Sequence, residues 1–187
     1  MKVLITSVPL MGHLNPLLAI GRNLIEEGHE VVGLSANVLR DRIEGMGAAF
    51  HPFPGKADID LRDITAAFPE LKILSPGPEM SRFYIERMFI DPIPAQHEGL
   101  KQVLRDFPAD VIIGDSLFLG ALPMLLGPRS ERPPIVLCGT TLLFWHRDDG
   151  APAGAGLPPA TSEAERKEYA ALFKDIKTLS LTPPGII

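Results

Sequence analysis

At 187 residues the chain has room for one globular domain and not for both halves of a bilobal enzyme. Hydrophobic residues make up 45% and charged residues 22%, the balance of a domain with a sizeable core, which excludes a disordered chain. Eighteen basic against twenty-three acidic side chains leave a net charge of −5, so the electrostatic footprint of a nucleic-acid binder is missing and no nucleic-acid partner is expected.

The opening Met1-Lys2-Val3-Leu4-Ile5 could pass for a signal peptide, but Pro9, His13, Asn15 and Pro16 break the apolar run early, and a first buried strand over 2–8 is the better reading. A loop over 10–13 follows. Asn15 then caps a helix with Pro16 in its first turn and Leu17, Ile20, Gly21, Leu24 and Ile25 on its apolar face, until Gly28 stops it. A second strand spans 29–35, a second helix 37–45, and a third strand 48–53 closes at Pro54-Gly55. This β-α-β-α-β series makes a parallel sheet with helices on both faces.

Residues 56–91 have no clean period until Glu79, after which Met80, Phe83, Tyr84, Arg87 and Met88 fall on helical spacing; the stretch reads as an irregular insertion carrying one helix. A helix over 95–107 with Leu100, Val103 and Leu104 inward leads to a fourth strand over 109–114. A helix over 116–126 and a fifth strand over 133–139 come next. The single Cys138 forbids an intrachain disulfide, and inside Ile135-Val136-Leu137-Cys138 it reads as a buried reduced thiol, which suits a cytoplasmic protein. Residues 150–159 turn to Ala, Gly and Pro, a surface loop. Ser162 and Glu165 form a capping box for a last helix with Tyr169, Leu172, Phe173 and Ile176 inward. No stretch reaches the roughly 18 apolar residues of a membrane span, so no stable membrane insertion is expected.

Several chemistries are struck out by motif. The turn after the first strand lacks G-x-G-x-x-G, and no acid ends the second strand at Leu34-Ser35-Ala36, so the sheet is Rossmann-like without the dinucleotide fingerprint. No phosphate-binding P-loop, zinc-protease or serine-hydrolase motif occurs, and histidines at 13, 29, 51, 97 and 146 are too scattered for a metal pair on one helix turn. Neither a metal nor a cofactor is expected.

In an open α/β sheet the ligand crevice lies outside the carboxyl ends of the strands at the switch point, which in a 3-2-1-4-5 order falls between strands one and four. His13 follows strand one and Asp115 ends strand four. An Asp before a helix is commonly its N-cap, and a His in such a loop is commonly a solvated turn residue. Placed together, they read as a base with an orienter: Asp115 accepts from one imidazole nitrogen, and the other nitrogen takes a proton from a substrate hydroxyl. A helix N-terminus beside His13 favours the neutral ring that a base requires.

The segment Gly12-His13-Leu14-Asn15-Pro16-Leu17-Leu18-Ala19-Ile20-Gly21, ending in Glu27-Gly28-His29-Glu30-Val31, resembles the opening of UDP-sugar-dependent glycosyltransferases of the GT-B fold, especially the bacterial macrolide and natural-product group. Ala109-Asp110-Val111-Ile112-Ile113-Gly114-Asp115 is similar to the strand that carries the family's Asp. Gly139-Thr140-Thr141, Arg147-Asp148-Asp149-Gly150-Ala151-Pro152 and Gly156-Leu157-Pro158-Pro159 resemble its middle section. The resemblance implies that His13 deprotonates an acceptor hydroxyl, which attacks the anomeric carbon with inversion, and that Asp115 supports the His. It also implies a second domain, holding the nucleotide sugar through a tryptophan-and-glutamine signature and a His-Gly-Gly turn, that has no counterpart here; the one tryptophan is Trp145, and the end of the first domain reads as clipped after Ile187.

The expectation is thus a doubly wound, Rossmann-like α/β domain spanning 1–187, one half of a GT-B architecture, with an irregular insertion at about 56–91. It would carry the acceptor pocket and the base of an inverting glycosyltransferase but not the donor site, and would be inactive alone. Its donor would be a nucleotide sugar, of UDP type, bound by a missing C-terminal domain or a partner chain. Met11, Met80, Phe83, Tyr84, Met88, Phe118 and Trp145 are the candidate acceptor lining, because large polarizable side chains suit bulky apolar hydroxylated acceptors; as a stripe at helical spacing, Met80, Tyr84 and Met88 read more readily as plain core. Alternatives are a non-enzymatic small-molecule-binding module, one subunit of a split glycosyltransferase, or, more weakly, a sugar-nucleotide epimerase.

Overall fold

The computed structural model describes residues 1–74, 78–140, 147–152 and 157–181, with side chains at all of these except 78, 81 and 175–181. Expectations at Trp145, at loop residues 153–156 and at the Ile176 side chain lie outside what is described. The chain divides into two compact units, one of 1–74 with 83–141 and one of 75–82 with 142–187.

The first unit is built on a sheet of five strands, β1 (Lys2–Thr6), β2 (Glu30–Ser35), β3 (Ala49–Pro52), β4 (Val111–Asp115) and β5 (Ile135–Cys138), in the order β3-β2-β1-β4-β5. Every neighbouring pair is parallel, with Val3 opposite Val31 on one side and Val111 on the other, and Gly114 opposite Leu137. Successive side chains of a strand point to opposite faces. Leu4, Val32, Leu34 and Ile112 accordingly pack with Leu100 and Val103 of α5 (Ile93–Asp106), whereas Val3, Ile5 and Val31 pack with Leu14, Leu17 and Leu18 of α1 (Met11–Glu26) and Ile43 of α2 (Arg40–Glu44). Burial on both faces is why these strands read as continuous apolar runs.

Helix α1 begins at Met11, with Leu10 in the capping position and no side-chain cap; Asn15 is exposed inside the helix and Pro16 sits in its interior. The expectation of an Asn15 cap is corrected. An internal proline costs about 3 kcal/mol, but the earlier start swings Leu14 fully into the core, a burial that contributes roughly 1.5–3 kcal/mol. The other end follows the sequence: Gly28, at φ 84°, lets its N–H reach the carbonyl of Ile25 and that of His29 reach Leu24, both at 2.9 Å, a left-handed stop that suits glycine.

The insertion holds more structure than its sequence suggested. Asp63 caps α3 (Ile64–Ala67) by accepting from the N–H groups of Thr65 and Ala66, and α4 (Pro78–Tyr84) runs on as π-helical turns over Ile85–Ile90. After β4 the expected helix over 116–126 shrinks to a 3₁₀ turn, Leu119–Ala121, and α6 (Leu122–Leu126). The reason is a diverted backbone donor: a helix over 116–126 would pair the N–H of Gly120 with the carbonyl of Ser116, but Gln96 Oε1 takes that N–H at 3.0 Å, and Asp115 Oδ1 holds the N–H of Leu117 at 2.7 Å in the turn before it. Strand β5 pairs with β4 alone among the described residues, so Val136 and Leu137 stay exposed and Cys138 is half-buried, not buried as expected.

The second unit carries α7 (Glu163–Leu181). Its capping box is formed: Ser162 N–H donates to Glu165 Oε2 at 3.1 Å and Glu165 N–H to Ser162 Oγ at 3.2 Å. Tyr169 is buried and its hydroxyl donates to the carbonyl of Pro158, whereas Leu172 is exposed. Asp149 ties the preceding loop, accepting from the Arg147 guanidinium and from the N–H groups of Ala151 and Ala160.

Candidate active site

The connections out of β1 and β4 leave in opposite directions along the sheet, so a crevice opens between their carboxyl ends. The loop after β1 is pinned there by Ser35 Oγ donating to the carbonyl of Ser7 at 2.9 Å and by the N–H of Val8 donating to Asp115 Oδ2 at 2.7 Å. Asp115, the last residue of β4, is 0% exposed. A carboxylate buried this deeply requires donors. Among the described residues it has three, from Val8, from Leu117 and from the ring of His13.

His13 lies in the first turn of α1 with its side chain 13% exposed, and its Nδ1 is 3.1 Å from Asp115 Oδ1. The structure brings together the two residues singled out in the sequence. The carboxylate can only accept, so the hydrogen-bond network assigns the proton to Nδ1 and leaves the lone pair on Nε2. Such a ring can remove a proton from a bound hydroxyl, and the adjacent carboxylate stabilises the resulting imidazolium.

Thr140, two residues beyond β5, places Oγ1 2.8 Å from the same Nδ1. Sequence reasoning gave it no role. The signal was available: β5 neighbours β4 with Cys138 opposite Asp115, so the residues just past β5 open onto the same crevice, as the strand-end rule that picked out Asp115 requires.

The candidate lining residues do not all keep that status. Phe118 is 2% exposed and stacks on Phe53 with ring centroids 5.7 Å apart; it is a core residue with no surface to offer a ligand, because the short turn after Asp115 directs it inward. Met88 is likewise buried. Met11 packs half-buried against the α1 side of the core. Phe83 is half-buried, edge-on to Phe68 at 5.7 Å with the Arg87 guanidinium 5.9 Å above it, and Tyr84 is half-buried too. Met80 is half-buried and belongs to the second unit. Among the described residues no group of three His, Cys, Asp or Glu could hold a metal ion, and no helix is long and apolar enough to cross a membrane.

No protein-family model matches the chain. It is 36% identical over 184 residues to UDP-glycosyltransferase 2 of Phaeomoniella chlamydospora, a match that covers 95% of this chain and 40% of that protein. It is 32% identical over 167 residues to 4'-demethylrebeccamycin synthase of Lentzea aerocolonigenes, covering 88% of this chain and 38% of that one. Of solved structures, the calicheamicin glycosyltransferase superposes with a TM-score of 0.57 at 19% identity over 94% of this chain and 42% of its own. The glycosyltransferase of kitacinnamycin gives 0.57 at 18% identity over 95% and 35%. At those identities the likeness establishes the fold, a part of the GT-B architecture. The chain spans about two fifths of the length of the curated relatives it matches.

Proposed function

We propose that this chain, a homologue of UDP-glycosyltransferases that spans about two fifths of their length, is the acceptor-binding, base-carrying part of an inverting glycosyltransferase. The observation that carries the reading is the hydrogen bond of 3.1 Å between His13 and the buried Asp115 at the switch point of the sheet. A hydroxyl of a small apolar acceptor gives its proton to His13 Nε2. The freed oxygen pair attacks the anomeric carbon of the sugar, and the carbon–oxygen bond to the diphosphate breaks on the opposite face. The nucleotide leaves with that electron pair, and Asp115 stabilises the imidazolium.

The nucleotide sugar needs backbone donors and a helix N-terminus for its diphosphate, which we place outside this chain, in a further domain or a partner chain. Met11, Phe83 and Tyr84, all of the first unit, retain exposed surface for an acceptor. The test joins the chain to a nucleotide-sugar-binding half, or mixes the two, and measures transfer to a phenolic acceptor. Wild type turns over, and His13→Ala loses nearly all of it. Transfer at the wild-type rate by His13→Ala would refute the role of the base.

A further inference from the structure

Two side chains compete for one atom of His13. Thr140 Oγ1 lies 2.8 Å and Asp115 Oδ1 3.1 Å from Nδ1, so the hydroxyl is the nearer partner. A ring nitrogen offers a single proton or a single lone pair. A bare Nδ1 could accept from the threonine hydroxyl, but its lone pair would then face a buried carboxylate that has no proton to give. With the proton on Nδ1 both oxygens accept, and the bond is three-centred.

The two acceptors differ in what they can fix. Asp115 is itself held by the N–H groups of Val8 and Leu117, each at 2.7 Å, so it cannot follow the ring. It selects the tautomer, because it accepts only. One acceptor still leaves the imidazole free to swing about χ2, a torsion with a broad well. A second acceptor, arriving from the end of β5 instead of β4, removes that freedom.

We propose that Thr140 is a positioning residue for His13, its hydroxyl oxygen sharing the Nδ1 proton with Asp115 and so fixing the plane in which the ring presents Nε2. The proposal rests on the reading of His13 as base and adds a division of labour to it. Asp115 decides where the proton sits, and Thr140 decides how still the ring is.

The experiment records the ring nitrogens of His13 in the ¹⁵N-labelled chain by NMR, with the exchange of the Nδ1 proton against water as the second readout. Wild type shows a protonated Nδ1 whose proton exchanges slowly. Thr140→Val, which keeps the shape and loses the hydroxyl, retains the Nδ1 proton but exchanges it about tenfold faster, the effect of losing one ordinary hydrogen bond. Thr140→Ser restores the rate to within about twofold, a rescue that a packing role would not give, and Asp115→Asn alone moves the tautomer. Backbone amide spectra establish that each variant folds; should Thr140→Val not fold, slow exchange in Thr140→Ser against fast exchange in Thr140→Ala carries the same decision. Wild-type exchange in Thr140→Val, or equal rates in Ser and Ala variants, overturns the proposal and leaves the base reading standing. A wild-type ring protonated on Nε2 overturns both.

Discussion

Asp115 does two jobs with one carboxylate, and they separate under substitution. Asp115→Asn preserves shape but turns one oxygen into an N–H₂ group facing other donors, so a buried N–H of Val8, Leu117 or His13 loses its acceptor. That costs about 1–3 kcal/mol of stability. In an assembled enzyme the same change lets the amide donate to Nδ1 and moves the ring proton to Nε2, so kcat falls by roughly two to four orders of magnitude while acceptor KM changes little. Steady-state kinetics with chemical denaturation of the same variant separates the two effects. A second residue-scale outcome concerns Asp149. The N–H of Ala160 first, then the Arg147 side chain and the N–H of Ala151, hold its carboxyl down from 3.8 to about 2. The folded value lies below the unfolded one, so the ionised group contributes stability that is present in full above the ordinary value and lost as pH falls toward about 2. Hydrogen exchange of the Ala151 and Ala160 amides followed through that window should show their protection disappearing, and Asp149→Asn should remove the acid-dependent step.

At the scale of elements, the central event is the seating of α1 on β1 and α2. Gly21 faces the sheet, and a Cβ there would sit 2.7 Å from Ile5 Cδ1 and 2.9 Å from Met46 Cε. Gly21→Ala gains about 1 kcal/mol of helix propensity but forces overpacking that costs roughly 1–3 kcal/mol. Both atoms end flexible side chains, but Ile5 and Met46 are themselves buried among packed neighbours, so any new rotamer meets further side chains and the loss wins. Urea denaturation should show a net destabilisation of up to about 2 kcal/mol, and a stabilised variant would mean that α1 sits farther from the sheet than described. The consequence reaches the site, since α1 also carries His13 in its first turn.

For the whole molecule, the proposed division between acceptor and donor halves gives a paired outcome. The 187-residue chain incubated with UDP-glucose and a phenolic acceptor should form no product. The same chain should bind at least one apolar hydroxylated acceptor without any nucleotide, with a Kd between micromolar and millimolar, because apolar burial at about 25 cal/mol per Å² is reduced by ordering costs and by incomplete enclosure. Calorimetry over a panel of flavonoids and macrolides, with Trp145 emission as a second signal, checks both halves. Product formed by rigorously pure chain would place the donor site within it. A cooperative melt that no acceptor shifts would argue against the acceptor reading itself.

The parallel sheet, its 3-2-1-4-5 order, the stop of α1 at Gly28, the capping box at Ser162 and the pairing of His13 with Asp115 were all legible in the sequence. The strands and helix ends rest on local rules, namely apolar runs bounded by turns, a glycine at a helix end and a fixed spacing of Ser and Glu, whereas the order and the His13–Asp115 pairing rest on the topology that open α/β sheets share. What the sequence misread depends on partners far along the chain. Leu14 drew the start of α1 forward past Asn15, because sheet residues were there to bury it. Gln96 took the Gly120 N–H that a helix over 116–126 would have used. Phe118 went to Phe53 instead of to a ligand, and Thr140 came to His13 across 127 residues. Propensity and spacing act over a few residues, whereas competition for a buried surface or a shared proton is settled only when the tertiary structure has brought the competitors together.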